Sequence, residues 1–146
     1  MLAFGLLFLR IVVGLTVAAH GAQKLFGWFG GPGIAGLSSM LSQLGIRPER
    51  LWAVIAGLAE FAGGLLVAAG LLTPVAALVV SGSMLVAILT VHAGKGFWNH
   101  NGGIEFPLTI LAMMVGISLT GPGVYSLDRL LSVTLPEPAT WLAPTS

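Results

Sequence analysis

Four long apolar segments constrain this chain more than any other feature. They cover approximately residues 3–25, 51–72, 75–93 and 104–119, and a helix needs roughly 20 residues to cross a hydrocarbon core of about 30 Å. Because lipid offers no water to the backbone, a crossing segment must satisfy its own hydrogen bonds, which favours helices. The sequence therefore predicts an all-α integral membrane protein, built as an antiparallel bundle of four transmembrane helices.

The composition agrees with this class. Hydrophobic residues make up 56% of the 146 residues and charged residues only 8%, against roughly 25% charged in an ordinary soluble domain. A net charge of +1 without a basic patch gives no reason to expect a nucleic-acid partner. The absence of cysteine excludes disulfides and thiolate metal sites, and no metal site is predicted. Arg10 interrupts the first apolar run and no basic residues precede it, so no cleavable signal peptide is expected.

The connections between the apolar segments are unequal in length. The first is long and begins with glycines, and a short amphipathic helix is predicted in it at about residues 34–44. Residues 71–74 predict a tight hairpin, because proline cannot continue the preceding helix. Residues 126–131 predict one or two turns of interfacial helix. We expect one transmembrane domain over residues 1–130 and a poorly ordered tail over residues 131–146.

Polar residues collect at one face of the predicted bundle. An up-down arrangement brings the end of the first span, the start of the second, the end of the third and the start of the fourth to the same face. Eight polar side chains fall there: His20, Gln23, Lys24, His92, Asn99, His100, Asn101 and Glu105. Arg10 and Glu60 lie deeper, roughly 18 Å and 13 Å from that face at about 1.5 Å per residue. Opposite charges in lipid are costly alone and tolerable together, so Arg10 and Glu60 are predicted to pair.

Helical phase places these ionisable residues on stripes of small residues. The stripes are Gly14 and Gly21 for Arg10, Ala53, Gly57 and Gly64 for Glu60, and Thr109, Ala112 and Gly116 for Glu105. Membrane helices put small residues against neighbouring helices. The interior of the bundle is therefore expected to be polar near one face, with the glycine-aromatic run at residues 26–33 as a lid.

Ordinary structural roles explain many of the same residues. A pair between Arg10 and Glu60 could serve only to fix helix register. Lys24 could be a snorkelling anchor at a helix end, and the aromatic residues beside it, including Trp28, interfacial belts. His20 and His92 could be core histidines with satisfied hydrogen bonds. The run Gly30-Gly31-Pro32-Gly33 matches no phosphate-binding spacing, so no nucleotide site is predicted.

A polar pocket at a bilayer face suits a quinone, whose tail lies among helices while its ring sits at headgroup level. Histidine and a desolvated carboxylate can relay the two protons that quinone chemistry moves. The residues predicted to act on the ring are His20, Lys24, Glu60, His92 and Glu105. The residues predicted to support binding are Arg10, Gln23, Trp28 and Asn99. A bis-histidine haem on His20 and His92 is conceivable but disfavoured, and electrons would come from a bound cofactor or a partner.

Several motifs carry a resemblance to a known family. They are HGAQKLFGWFGGPG at 20–33, AEFAGG at 59–64, MLVAILTVH at 84–92, GFWN at 96–99, GGIEFP at 102–107, GPG at 121–123 and SLD at 126–128. Together they resemble the DoxX family of small four-span membrane proteins over about residues 4–130, although the pair His100-Asn101 is less typical. Name-giving members are similar to the small subunit of a thiosulfate:quinone oxidoreductase. Other members are associated with membrane oxidoreductase complexes of oxidative-stress defence.

The resemblance and the pocket together predict a membrane subunit of a quinone-linked redox system, with the lipid bilayer and other subunits as partners and a homo-oligomer as an option. Whether the chain is an enzyme by itself stays open. A non-catalytic scaffold of a larger membrane complex is the alternative. A small-solute or proton transporter is less favoured, because four spans show no inverted repeat.

Charged residues give the expected orientation in the cell inner membrane. Lys24, Arg47, Arg50 and Lys95 lie on the side of the polar cluster, and the opposite side has little beyond Arg129. The positive-inside rule then places the polar face in the cytoplasm and both termini outside.

Overall fold

The computed structural model describes residues 1–133, so most of the predicted tail lies outside the described residues. The α-helices of the described chain are α1 (Leu2–Phe26), α2 (Gly33–Gln43), α3 (Glu49–Ala69), α4 (Thr73–Ala87), α5 (Glu105–Thr120) and α6 (Leu127–Leu130). A π-helical turn, Ile88–His92, continues α4, and short 3₁₀ turns occupy Trp28–Gly30 and Asn99–Asn101. No strand occurs in residues 1–133. The all-α prediction is confirmed.

Three stretches of helix are long and apolar enough to cross a membrane. They are α1 with 25 residues, α3 with 21, and α4 together with its π turn with 20. The 16 residues of α5 are also apolar, but they extend only about 24 Å at 1.5 Å per residue. The chain is therefore a membrane protein, and the antiparallel four-span arrangement stays a prediction.

Glycines bring α1 and α3 into backbone contact. A Cβ atom built on Gly14 would lie 2.6 Å from the carbonyl oxygen of Gly64 and 2.6 Å from the amide nitrogen of Ala68. A Cβ on Gly21 would lie even closer to the backbone of Phe61, and this contact is farther along α1 but earlier in α3. The two helices are therefore antiparallel, and the last turns of α1 lie beside the middle of α3.

The apolar core lies between α1, α3, α4 and α5. Its most buried side chains include Val17, Val67, Val80, Met114 and Ile117. The long side chains of α5 occupy its inner face. Its small-residue stripe, Thr109, Ala112 and Gly116, is exposed. The prediction that this stripe faces the interior is wrong, because the space beside α4 is filled by the larger apolar side chains.

The predicted pair between Arg10 and Glu60 does not form. Arg10 is 1% exposed and donates hydrogen bonds to the carbonyl oxygens of Pro122 at 2.6 Å and Tyr125 at 2.7 Å. In the antiparallel register set by the glycines, Arg10 lies beside Gly70. Gly70 is ten residues from Glu60, or about 15 Å along the helix. The prediction is wrong because the depths of Arg10 and Glu60 were counted along each apolar segment separately. Such a count does not give the register in which α1 packs against α3.

Asp128 closes the same end of the molecule. Its carboxylate accepts hydrogen bonds from the backbone nitrogens of Leu72 at 2.7 Å and Thr73 at 2.9 Å, and its own amide donates to Gly70. These bonds satisfy two of the unpaired N–H groups at the start of α4. Together with the bonds of Arg10, they join α1, the end of α3 and the start of α4 to the segment that follows α5.

Candidate functional site

A charged network links three helices at the other end of α1. Glu60 of α3 is 1% exposed, and its Oε1 accepts hydrogen bonds from Lys24 Nζ of α1 and, at 2.9 Å, from Ser83 Oγ of α4. A buried carboxylate needs both an opposite charge and hydrogen-bond donors to be tolerated in an apolar interior. The charged partner of Glu60 is thus Lys24, at the end of α1, rather than Arg10.

A cavity of about 240 Å³ lies beside this network. Its wall brings together residues of α1, α3, α4, the π turn, the loop that follows and α5. The lining residues are Val17, His20, Lys24, Glu60, Met84, Ala87, His92, Asn99, Phe106, Pro107 and Ile110. We call this cavity the polar pocket. It contains four of the five residues predicted to act on a ring.

The two histidines of the polar pocket are held in different ways. The ring of His20 packs against Phe106, with 4.9 Å between the ring centroids. His92 Nδ1 lies 2.7 Å from the carbonyl oxygen of Gly102. A carbonyl oxygen only accepts, so Nδ1 carries the hydrogen, and Nε2 is left to accept a proton in the neutral ring or to donate one in the imidazolium. His92 also ends a π-helical turn, a widened helix geometry often found at functional sites.

The remaining predicted residues lie around the pocket or away from it. Asn99 lines the wall, and its backbone nitrogen donates to Glu105 Oε2 at 2.8 Å. Glu105 itself does not line the cavity, and its carboxylate contacts the loop through this hydrogen bond. Gln23 Nε2 lies 3.4 Å from the carbonyl oxygen of Phe29, and Trp28 is 55% exposed. Neither lines the polar pocket.

The predicted lid does not cover the pocket. Trp28 packs between Phe26 and Phe29, at ring-centroid distances of 4.9 and 6.4 Å, and none of the three lines the polar pocket. The loop that carries Asn99 and the start of α5 form that wall instead.

Two residues were missed because the sequence carries only a weak signal for them: Ser83, which bonds to Glu60, and Phe106, which lines the polar pocket. Ser83 is one of several small polar residues in the third span, and nothing in the sequence distinguishes the one that meets Glu60. Ser81, two residues earlier, bonds only to the backbone of its own helix, at Ala77. Phe106 follows Glu105 directly, but in the sequence nothing distinguishes it from the other apolar residues of the fourth segment.

A second cavity adjoins the polar pocket. It has a volume of about 450 Å³ and is lined mostly by apolar residues of α2, α3, α4 and the π turn. Lys24, Ala87 and His92 line both cavities. We call this second cavity the apolar groove.

The donors and acceptors of the polar pocket suit a small polar ring. Lys24 supplies an ammonium, and the two imidazoles supply ring nitrogens that can donate or accept hydrogen bonds. Among residues 1–133, no three histidine or acidic side chains lie close enough together to hold a metal ion. The side chains of the polar pocket are thus able to donate and accept hydrogen bonds.

Comparison with known proteins matches the DoxX family model to residues 5–93. The chain is 34% identical to the inner membrane protein YqjF of Escherichia coli, over 82% of this chain and 93% of that protein. It is 31% identical to the uncharacterised membrane protein Rv3486 of Mycobacterium tuberculosis, over 85% and 79%. It is 30% identical to a Bacillus subtilis protein named "Putative oxidoreductase CatD", over 85% and 84%. No solved structure matches the chain at a significant level.

Proposed function

The chain belongs to the DoxX family of membrane proteins, and we propose that it is a subunit of a quinone-linked redox system of the inner membrane. In this proposal the polar pocket binds the ring of a quinone at one membrane face. The oxidoreductase name of the Bacillus subtilis relative supports the redox role. The name of the Escherichia coli relative supports the location in the inner membrane.

One observation carries the proposal. The buried carboxylate of Glu60, paired with the partly exposed Lys24, lies beside two histidines in a cavity of about 240 Å³. Pockets for whole drug-sized ligands measure roughly 300–1,000 Å³, so this cavity suits a single substituted ring rather than a complete tailed molecule. An ion pair with only a structural role would not require a neighbouring cavity lined by histidine side chains.

Each pocket residue has a defined role in the proposal. Lys24 donates a hydrogen bond to a ring oxygen and stabilises the negative charge that develops there on reduction. Glu60 holds the ammonium in position. His20 and His92 exchange protons with the two ring oxygens. Reduction of the ring to the hydroquinone takes two protons from these groups and two electrons from an electron-donor subunit.

The proposed membrane arrangement includes α5 as a fourth, antiparallel span. Its length of about 24 Å is short for a 30 Å hydrocarbon core, and a bilayer adapts to a short helix by local thinning. The polar pocket then lies near one membrane face, which the positive-inside rule assigns to the cytoplasm.

Quinone retention tests the proposal. Protein purified in mild detergent is expected to carry quinone, and Glu60→Gln and His20→Ala are expected to lose it. Glu49→Gln and His100→Ala are the matched controls, because both residues lie outside the polar pocket. Wild-type protein that retains no quinone and shows no quinone-dependent activity with its native partners would contradict the proposal.

A scaffold role is the second candidate, and the exposed stripe of Thr109, Ala112 and Gly116 on α5 favours it. Small residues let another membrane helix approach closely. If scaffolding is the whole function, Gly116→Leu will disrupt assembly with partner subunits, while the pocket substitutions will leave partner activity intact.

A further inference from the structure

The apolar groove has features that a quinone ring in the polar pocket does not explain. It is almost twice as large as the polar pocket, at about 450 against 240 Å³. Its walls are Leu37 and Met40 of α2, Trp52 and Ile55 of α3, and Val79 and Val86 of α4. A cavity lined in this way gains nothing from a polar ligand but accepts a hydrocarbon chain.

The groove and the polar pocket meet at charged and titratable side chains. Lys24 and His92 line both, and Ser83, which donates to Glu60, lines the groove. A molecule with its ring beside Glu60 therefore has an apolar passage leading directly away from the ring. We propose that the site takes a tailed amphiphile, whose chain leaves the polar pocket past Lys24 and His92 and lies in the apolar groove.

Helix α2 forms the cover of the groove on the side of the long first connection. Leu37 and Leu41 of α2 are buried against Ala53 of α3, and Ile34 and Ile46 pack on the same cluster. Helix α2 also contacts α1, but only Leu37 and Leu41 of α2 are buried. An amphipathic helix with so few buried side chains separates at lower cost than a core helix. One wall of the groove faces the lipid chains of the bilayer, because three of its side chains are more than 40% exposed: Trp52, Ile55 and Val86. The chain therefore enters sideways, from the bilayer.

The length of the groove limits how much of the chain it holds. Val79 of α4 and His92 of the π turn both line it, and 13 residues of helix extend about 20 Å. That is about two thirds of a hydrocarbon core of about 30 Å, so the part of the chain next to the ring lies in the groove and the remainder lies in lipid. Since lipid chains are as apolar as the groove, the chain contributes orientation and selectivity rather than most of the affinity.

Blocking the groove separates this inference from the proposed function on which it rests. A Cβ on Gly82 meets no atom within 4 Å, and Gly82 lines the groove, so Gly82→Phe adds a bulky ring at the groove wall from a position with open space for its Cβ. Gly5→Phe is the matched control, because Gly5 is equally open and lies outside both cavities. The probes are a benzoquinone with a long prenyl chain and the same ring with methyl in place of the chain.

We expect Gly82→Phe to weaken binding of the prenylated quinone about tenfold or more, corresponding to about 1.4 kcal/mol, and to bind the methyl ring like wild type. Binding of the methyl ring also shows that the variant is folded. Equal binding of the prenylated quinone by Gly82→Phe and wild type would overturn the inference and leave the proposed function intact. Wild-type protein that binds neither probe would overturn both.

A second measurement uses Trp52 in the groove wall as a reporter, after Trp28, Trp98 and Trp141 are replaced by phenylalanine. A quinone brominated on its chain should quench Trp52 fluorescence, and excess methyl ring should reverse the quenching by taking the polar pocket. Quenching that the methyl ring cannot reverse would mean that the chain reaches Trp52 from lipid, independently of the pocket, and would overturn the inference.

Discussion

Replacing Gly14 by alanine tests the contact that places the pocket residues of α1 and α3. A Cβ on Gly14 would lie 2.6 Å from Gly64 oxygen, and ordinary contact begins at 3.4 Å. The helices must therefore separate by 3.4 − 2.6 = 0.8 Å. The obstructing atoms belong to the backbone and cannot rotate away. Overpacking of this kind typically costs about 1–3 kcal/mol.

Gly5→Ala provides the reference for that value. Gly5 lies in the same helix, and a Cβ there meets nothing within 4 Å. Alanine favours the helix over glycine in both variants, so this contribution largely cancels in the comparison. We expect the free energy of unfolding of Gly14→Ala to be about 1–3 kcal/mol below that of Gly5→Ala. Titration with a denaturing detergent, followed by circular dichroism, measures the difference. Equal values would refute the antiparallel backbone contact of α1 with α3.

Three other outcomes follow from the structure. Arg10→Met leaves the carbonyls of Pro122 and Tyr125 without their donor, so we expect the free energy of unfolding to fall by at least about 2 kcal/mol. The control Arg50→Met, at an exposed position, should lower it by less than about 0.5 kcal/mol. Similar losses in the two variants would mean that Arg10 does not hold this end of the molecule together. Ser83→Ala removes a donor to a buried carboxylate and should lower the free energy of unfolding by about 1.5–3 kcal/mol. The hydroxyl of Ser81 bonds within its own helix, so Ser81→Ala should change stability little. The same unfolding assay compares the two variants, and equal values would contradict the hydrogen-bond network around Glu60. A tag at the C-terminus should be accessible from outside intact spheroplasts, and protection of that tag would reverse the predicted orientation.

The sequence predicts the helices well because hydrophobic length and helix-breaking residues are local signals. The first apolar segment was placed at residues 3–25 and is observed as Leu2–Phe26. The amphipathic helix predicted at about residues 34–44 is observed as Gly33–Gln43. Proline and glycine mark the ends of helices directly.

Helix pairing could not be predicted with the same success, because it depends on register between segments distant in sequence. Arg10 and Glu60 were paired from depth alone, whereas the close approach of Gly14 to Gly64 places Lys24 beside Glu60 instead. The prediction that the small-residue stripe of α5 faces the bundle interior was wrong for a similar reason. Small residues indicate an interface between helices, but they do not identify the partner that covers it. The residues that form the polar pocket could largely be predicted from the sequence. Few ionisable residues interrupt the apolar segments, and most of those in the pocket are among them.

The most direct test of a quinone site in the polar pocket is photolabelling with a quinone that carries an azide on its ring. The account predicts that illumination labels peptides containing His20, Lys24 or His92, and that excess unlabelled quinone suppresses the labelling. Labelling should also fall in Glu60→Gln and persist in Glu49→Gln. Labelling confined to lipid-facing residues, or unchanged by competition, would contradict the account.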